Sequence, residues 1–284
     1  MPDSVCLFAA YTPKGELAPH TVYYLSELIQ CGFTIHLALS GCDDIANSTL
    51  DFCTINKIIP WTRPNIGHDF GAWKDLILHG YAEKASRILL ANDSVFGPFT
   101  SLKPLFNRMA NRDADVWGLL ESLSVTPHLQ SWFVCFEHSS FQTPAIQRTL
   151  LQEFDHMSRE ELIWHGELGL SIACRAEGLT TQAIWSDRHH PVNRVFKTNA
   201  MHSNWQRMLR TGAIPFIKTE LLRDNPFGLS SATHWKENLP ASSGFNPEWI
   251  VEYLQTQPQR PQKTRSNWKG RLLYKLVEGI TDKS

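Results

Sequence analysis

Neither sign of charge prevails in this 284-residue chain, where 27 lysines and arginines face 28 aspartates and glutamates for a formal net charge of -1. Gripping nucleic acid along its backbone needs a basic field, so no nucleic acid is expected as the main partner, and any anion must be met locally. Long hydrophobic runs are also missing. Nowhere do about eighteen apolar residues follow one another, which excludes a transmembrane helix. The opening "MPDSVCLFAAYT" carries no basic segment ahead of an apolar stretch, so no secretion signal is evident. The six cysteines, at 6, 31, 42, 53, 135 and 174, form no CxxC pair and no zinc-like spacing, and are read as reduced, mostly buried thiols. Neither a GxGxxG nor a GxxxxGKS/T phosphate loop occurs, and no GxSxG elbow or paired metal-ligand cluster supports a hydrolase. These absences point to a cytoplasmic globular protein, with peripheral contact at the inner face of the membrane left open.

What is present is a chain 42% hydrophobic, long enough for one large α/β domain or a domain with a helical appendage. Its 12 His, 10 Trp and 15 Phe exceed what a small core requires, and aromatic-rich clefts stack flat bases or sugar rings, although most aromatics belong in the core. "VCLFAAYT", the helical spacing of Val22, Leu25, Leu28 and Ile29 up to Gly32, and "FTIHLAL" form a βαβ unit, which implies a parallel sheet. "KIIPWT" adds a strand, a helix is expected from about Gly71 to Lys84, and "RILLAN" reads as a strand buried on both faces. A helix then begins at Pro104, "DVWGLLES" and "LQSWFVCFEH" read as strands, and helices over "PAIQRTLLQEF" and from about Glu160 to Gly178 precede the strand "TTQAIW". Beyond residue 200 the pattern is helical and aromatic. This divides the chain into a core over 1–200, an extension over 201–259 that offers an acceptor side, and a tail over 260–284.

The tail holds seven cationic residues against Glu278 and Asp282, interleaved with Trp268, Leu272, Leu273, Leu276 and Ile280. That makes a basic amphipathic segment, either a helix docked by its apolar side or a contact for an anionic membrane surface.

Four motifs carry chemistry. In "RPNIGHDFGAWKDL", Asn65, Gly67 and Gly71 permit unusual backbone angles and close ligand approach, with Arg63, Asp69 and Lys74 supplying charge; a turn with Asp69 capping a helix and Trp73 in the core explains the same residues. Asn92-Asp93-Ser94 closes a buried strand at its carboxyl end, where ligands bind in open α/β sheets; Asp93 capping the turn by accepting nearby backbone amides explains it as well. "HGELGLS" places Glu167 after His165, but the Pro-Cys-x-x-Cys of zinc deaminases is absent. His189-His190 suits metal, phosphate or a plain turn before Pro191 equally.

Together "NIGHDFGAWK", "LLANDSVFGPF", "LQSWFVCFE", "GELGLS" and "PFIKTELLRDNP" resemble the rhamnan synthesis F family, bacterial glycosyltransferase-like proteins of cell-surface polysaccharide assembly, over residues 5 to about 228. The resemblance implies a GT-A-like fold: a Rossmann-related, mostly parallel sheet flanked by helices, with a helical carboxyl extension. It implies a nucleotide-sugar donor, often deoxythymidine diphosphate rhamnose, and a glycan or lipid-linked acceptor. In that frame Ala9 to Thr12 lies near the nucleobase, while Asn65, Gly67, Asp69 and Lys74 line the donor cleft with Asn92, Asp93 and Ser94. Glu167 and Asp93 are the catalytic candidates, Gln130 and Trp132 face sugar, and Lys218 and Arg223 meet the acceptor, sugar or phosphate. Transfer with inversion needs a base for the acceptor hydroxyl and neutralisation of the departing diphosphate. Only Asp93 is acidic in its triplet, so Mg2+ or Mn2+ has one sparse carboxylate ligand there. That incomplete acidic motif favours the alternative, a non-catalytic sugar- or nucleotide-sugar-binding subunit of an assembly complex.

Overall fold

The computed structural model describes residues 3–241, 243–257 and 268–281. The first half alternates strand and helix as its periodicity demands: β1 (Ser4–Tyr11), α1 (Pro19–Gln30), β2 (Phe33–Ser40), α2 (Asn47–Ile55), β3 (Ile59–Arg63), α3 (His68–Leu78) and β4 (Arg87–Asn92). β1 pairs in parallel with both β2 and β4, and β2 with β3. α3 starts at His68 rather than at Gly71, because Gly67 takes the left-handed conformation at φ 67° and turns the chain into the helix. Gly71 serves a different end. A Cβ there would stand 2.2 Å from the Ile66 carbonyl oxygen, so the loop closes against the helix only over a glycine.

β5 (Val95–Phe96), α4 (Lys103–Ala110), β6 (Val116–Ser122), β7 (His128–Leu129), β8 (Phe133–Glu137), α5 (His138–Phe141) and α6 (Pro144–Leu150) follow. The strand expected over "LQSWFVCFEH" is thus two pieces, with Gln130, Ser131 and Trp132 between them. The helix expected from Glu160 is also composite: α7 (Arg159–Glu161), a π-helical stretch over Leu162–Leu168, and α8 (Gly169–Ala176). A capping box of Ser158 and Glu161 starts it. β9 (Thr181–Ser186) completes an eight-stranded sheet of order β3-β2-β1-β4-β8-β6-β7, with β9 beside β6. β8 runs against β4 and β6, and β7 against β6, so the other strands share one direction and the sheet is mixed but mostly parallel.

Side chains alternate across this sheet with period two. Cys6, Phe8 and Ala10 of β1 join Leu89 and Ala91 of β4 in a core roofed by α1 and α4, while Val5, Leu7 and Ala9 join Ile88 and Leu90 under α3, α6 and α8. The carboxyl part consists of α9 (Pro191–Phe196), α10 (Ala200–Ser203), α11 (Trp205–Arg210), β10 (Ile217–Lys218), α12 (Thr219–Arg223), α13 (Glu248–Thr256) and α14 (Trp268–Thr281). It does more than pack outside the core. β10 pairs antiparallel with β5, and Phe96 and Phe99 share a third cluster with Trp205, Ile217 and Ile250. All six cysteines are free thiols. No described helix is long and apolar enough to cross a membrane. Of the basic tail, Arg260, Lys263, Arg265 and Lys283 lie outside the described residues.

Candidate functional site

β1 and β4 end side by side, and the chain turns at their carboxyl ends. The Asp93 N–H donates to Ala9 O at 3.2 Å, and the Tyr11 N–H donates to Asp93 Oδ2 at 2.8 Å. Asn92 points its amide to Asp69 Oδ2 at 2.6 Å, and its own Oδ1 accepts from the Ser94 N–H and hydroxyl at 3.1 and 2.6 Å. Asp69 does not cap α3. The turn from β4 instead reaches it, so two carboxylates, one from each segment, meet at the strand ends. Burial pushes the Asp93 carboxyl up to about 7, and the Asp69 charge adds to this; the Tyr11 amide and Arg223 work against it. Burial likewise raises Asp69, opposed by Lys218, His68 and the Asn92 hydrogen bond.

These groups line a cleft of about 610 Å³ that also takes in Asn65, Gln130, Trp132, Glu167, Lys218 and Arg223. Lys218 is delivered by the β10–β5 pairing: its Nζ donates to Ser94 Oγ at 3.0 Å and sits 5.3 Å from the centre of the Trp132 ring. Burial lowers its pKa, while Glu167, Asp69 and Glu220 hold it up. Gln130 and Trp132 are buried rather than free to swing. Trp132 Nε1 donates to Gln130 Oε1 at 3.0 Å and Gln130 Nε2 to Asn199 Oδ1 at 3.1 Å, so the pair is a fixed floor.

Glu167 sits on the π-helical stretch facing the gap between β7 and β8. Its Oε2 accepts both the Ser131 N–H and hydroxyl at 2.8 Å, and His128 Nε2 lies 3.3 Å from its Oε1. Burial favours the neutral acid, but the His128 hydrogen bond and charge, with the Ser131 donors, outweigh it and hold Glu167 below its ordinary range. On His128, burial lowers the pKa, yet Glu167, the Thr126 carbonyl and Asp187 together raise it. Nδ1 of His128 faces Thr126 O at 2.7 Å and must donate to it. A proton on Nε2 therefore makes the ring an imidazolium paired with the Glu167 carboxylate.

The structure does not bring every candidate here. Lys74 pairs with Glu153 at 2.9 Å and does not line the cleft, because its position on α3 carries it away from the strand ends. Arg63 braces the loop: it reaches Asp75 at 2.6 Å and Ile66 O at 2.8 Å. Gly67 shapes the loop backbone but offers no cleft contact. Of the expected base-binding stretch, Tyr11 reaches the cleft and is 52% exposed, whereas Ala9, Ala10 and Thr12 are buried. His189 and His190 form a turn, with the His190 ring stacked on Trp185 at 3.7 Å. Among the described residues no group of three or more His, Cys, Asp or Glu could hold a metal ion.

Sequence reasoning missed His128, Ser131, Arg159, Asn199, His202 and Glu220. All but His128 line the cleft, and His128 stands behind Glu167. Burial lowers His202 to about 4, which leaves a neutral imidazole beside Glu220. Ser131 had a signal, since it lies between Gln130 and Trp132 near the start of a predicted strand; the others are joined to the site only by tertiary contact.

A sequence model of the family described as rhamnan synthesis protein F matches residues 42–257. The chain belongs to the rhamnan synthesis protein F family. The match begins at residue 42 rather than at 5 and runs past 228, the expected bounds of the resemblance, to include Tyr253 at the cleft edge. A curated relative is virulence protein VirA of Vibrio anguillarum, 25% identical over 222 residues that cover 66% of this chain and 69% of that protein. Among solved structures, the glycosyltransferase GlyE of Streptococcus pneumoniae TIGR4 overlaps 93% of this chain and 66% of its own, at 11% identity and a TM-score of 0.43. Core-mannan synthase A of Aspergillus fumigatus, solved in an Mn/GDP form, overlaps 65% of this chain and 72% of its own, at 9% identity and a TM-score of 0.37. The fold assignment rests on the sheet order and pairing of this chain itself.

Proposed function

We propose that this chain is an inverting glycosyltransferase of cell-surface polysaccharide synthesis that takes its sugar from a nucleoside diphosphate donor, with deoxythymidine diphosphate rhamnose the first candidate. The observation that carries this reading is one cleft that holds an ionised carboxylate together with two cations. Glu167 is held ionised by three donors; Lys218 stands between it and Asp69, and Arg223, paired with Asp224 at 2.9 Å, acts on Asp93. Glu167 accepts the proton of the acceptor hydroxyl. The acceptor oxygen then forms its bond to the anomeric carbon as the bond to the donor's diphosphate oxygen breaks on the opposite face. The electron pair leaves with the diphosphate, whose charge Lys218 and Arg223 meet. Trp132 and Gln130 supply a rigid floor for the sugar, and Tyr11 an exposed ring for the base.

A divalent cation would be held here by Asp69 and Asp93, the two carboxylates at the strand ends. Each has one oxygen engaged, by Asn92 and by the Tyr11 N–H respectively, and one left as a hard donor. Bound there, Mg2+ or Mn2+ would neutralise diphosphate charge. The acidic pair missing from the triplet would then come from two segments.

Isothermal calorimetry with deoxythymidine and uridine diphosphate sugars, with and without Mg2+, tests the reading. Binding that weakens at least about tenfold in Lys218→Met and loses its Mg2+ dependence in Asp93→Asn is expected. A protein that binds no nucleotide sugar under either condition would refute it, and donor binding without turnover would leave the non-catalytic binding subunit.

A further inference from the structure

α14 is a helix with two working faces. Its inner face is tied down: Tyr274 Oη accepts the Asn199 N–H at 2.8 Å, the Tyr274 ring stacks on Phe227 at 3.5 Å, Val277 is fully buried, and Glu278 accepts from the Ser231 hydroxyl. Its outer face carries four large apolar side chains one turn apart. Trp268, Leu272, Leu276 and Ile280 are 70%, 59%, 46% and 43% exposed. Spacing of four residues keeps them on one stripe of the helix. Isolated exposed apolar residues need no explanation, but a row of four along one helix does.

Charge identifies the partner. Lys269 and Lys275 are exposed beside the stripe, whereas the helix's one acidic residue within the described range, Glu278, is turned inward to Ser231. The preceding residues 258–267 add Arg260, Lys263 and Arg265 and no acid. A second protein copy presenting the same face would set lysines against lysines. A surface of anionic lipid headgroups over acyl chains instead satisfies both the stripe and the lysines, since such helices lie in the headgroup plane with apolar side chains inserted.

We propose that the outer face of α14 is a docking surface for an anionic membrane, with Trp268, Leu272, Leu276 and Ile280 entering the bilayer boundary and Lys269 and Lys275 meeting headgroups. The same helix holds the cleft wall through Tyr274 and Asn199, and Asn199 in turn holds Gln130. The lipid surface therefore lies about one helix diameter, roughly 10 Å, from a residue of the cleft. This suits an acceptor that is itself membrane-anchored, but the docking stands independently of the glycosyl-transfer reading.

Flotation of the full chain with vesicles of phosphatidylcholine alone, or mixed with phosphatidylglycerol, tests it. The wild type should float with the anionic vesicles alone and be released by salt. Leu272→Ser/Leu276→Ser should weaken binding about tenfold or more, and Lys269→Glu/Lys275→Glu about 100-fold or more. These side chains point outward, so thermal unfolding and nucleotide binding of the variants should match the wild type. Equal binding to neutral vesicles, unchanged binding by either variant, or a wild-type dimer in light scattering that Leu272→Ser/Leu276→Ser dissociates would each overturn the proposal.

Discussion

Removing the charge of Glu167 while keeping its shape separates its chemical role from its structural one. The carboxylate satisfies three donors: the N–H and hydroxyl of Ser131, and Nε2 of His128. In Glu167→Gln the amide oxygen can accept both Ser131 donors, and the amide N–H can donate to Nε2 of a neutral His128, whose Nδ1 keeps its bond to Thr126. Every partner is retained, so stability should change by no more than about 1 kcal/mol. Glu167→Ala leaves the donors without an acceptor. Breaking a buried ion pair costs about 3–5 kcal/mol. Here the glutamate side chain is 20% exposed, so water reaches part of the gap, and about 2–4 kcal/mol is expected.

Turnover should order differently. Glutamine cannot take the acceptor proton, so Glu167→Gln should lose about 10²- to 10⁴-fold in kcat, the scale of a positioned general base. That corresponds to about 2.7–5.5 kcal/mol of transition-state stabilisation. Donor affinity should stay within about threefold, since no diphosphate contact is removed. Urea unfolding, donor calorimetry and release of nucleoside diphosphate in the presence of acceptor-bearing membranes provide the three readouts. A Glu167→Gln protein that folds, binds donor and turns over within about threefold of wild type would remove Glu167 from the mechanism. Loss of folding in Glu167→Gln would show instead that the charge itself, not its hydrogen bonds, holds β7 and β8 to the helix.

Two further outcomes follow from the same geometry. The pKa of His128 is raised above 6.5 in the folded chain, so its stabilisation is full below pH 6.5 and is lost as pH climbs through the folded value; the unfolding midpoint of wild type relative to His128→Gln should fall across that window, and a constant difference would refute the ion pair. A Cβ at Gly166 would stand 2.7 Å from the Phe70 ring, so Gly166→Ala should destabilise by about 1–3 kcal/mol in urea unfolding, and an unchanged midpoint would show that Phe70 moves freely.

Most of the strand–helix alternation of the first ninety residues was legible in the sequence, because those elements announce themselves locally, although α2 (Asn47–Ile55) was not read. Apolar runs such as Ile88-Leu89-Leu90 are continuous where a strand is covered on both faces, and Gly32 stops α1 through its own backbone freedom. The turn at Asn92-Asp93-Ser94 was legible for the same reason. Residue type alone could not say which charges converge. Asp69 and Lys74 are five positions apart on one helix, yet one meets Asn92 and the other Glu153. Helical rotation decided that, through a start at His68 that depends on Gly67 being left-handed. His128 and Glu167 lie 39 positions apart, and Lys218 reaches Ser94 across 124. Nothing in local propensity encodes such distances. They exist because β10 pairs with β5, and because the π-helical stretch packs against the break between β7 and β8. The sequence by itself thus determined most of the elements, the sheet edge and the residue types that carry charge. Tertiary pairing alone decided which carboxylate is held ionised, which is pushed towards neutrality, and which lysine stands between them.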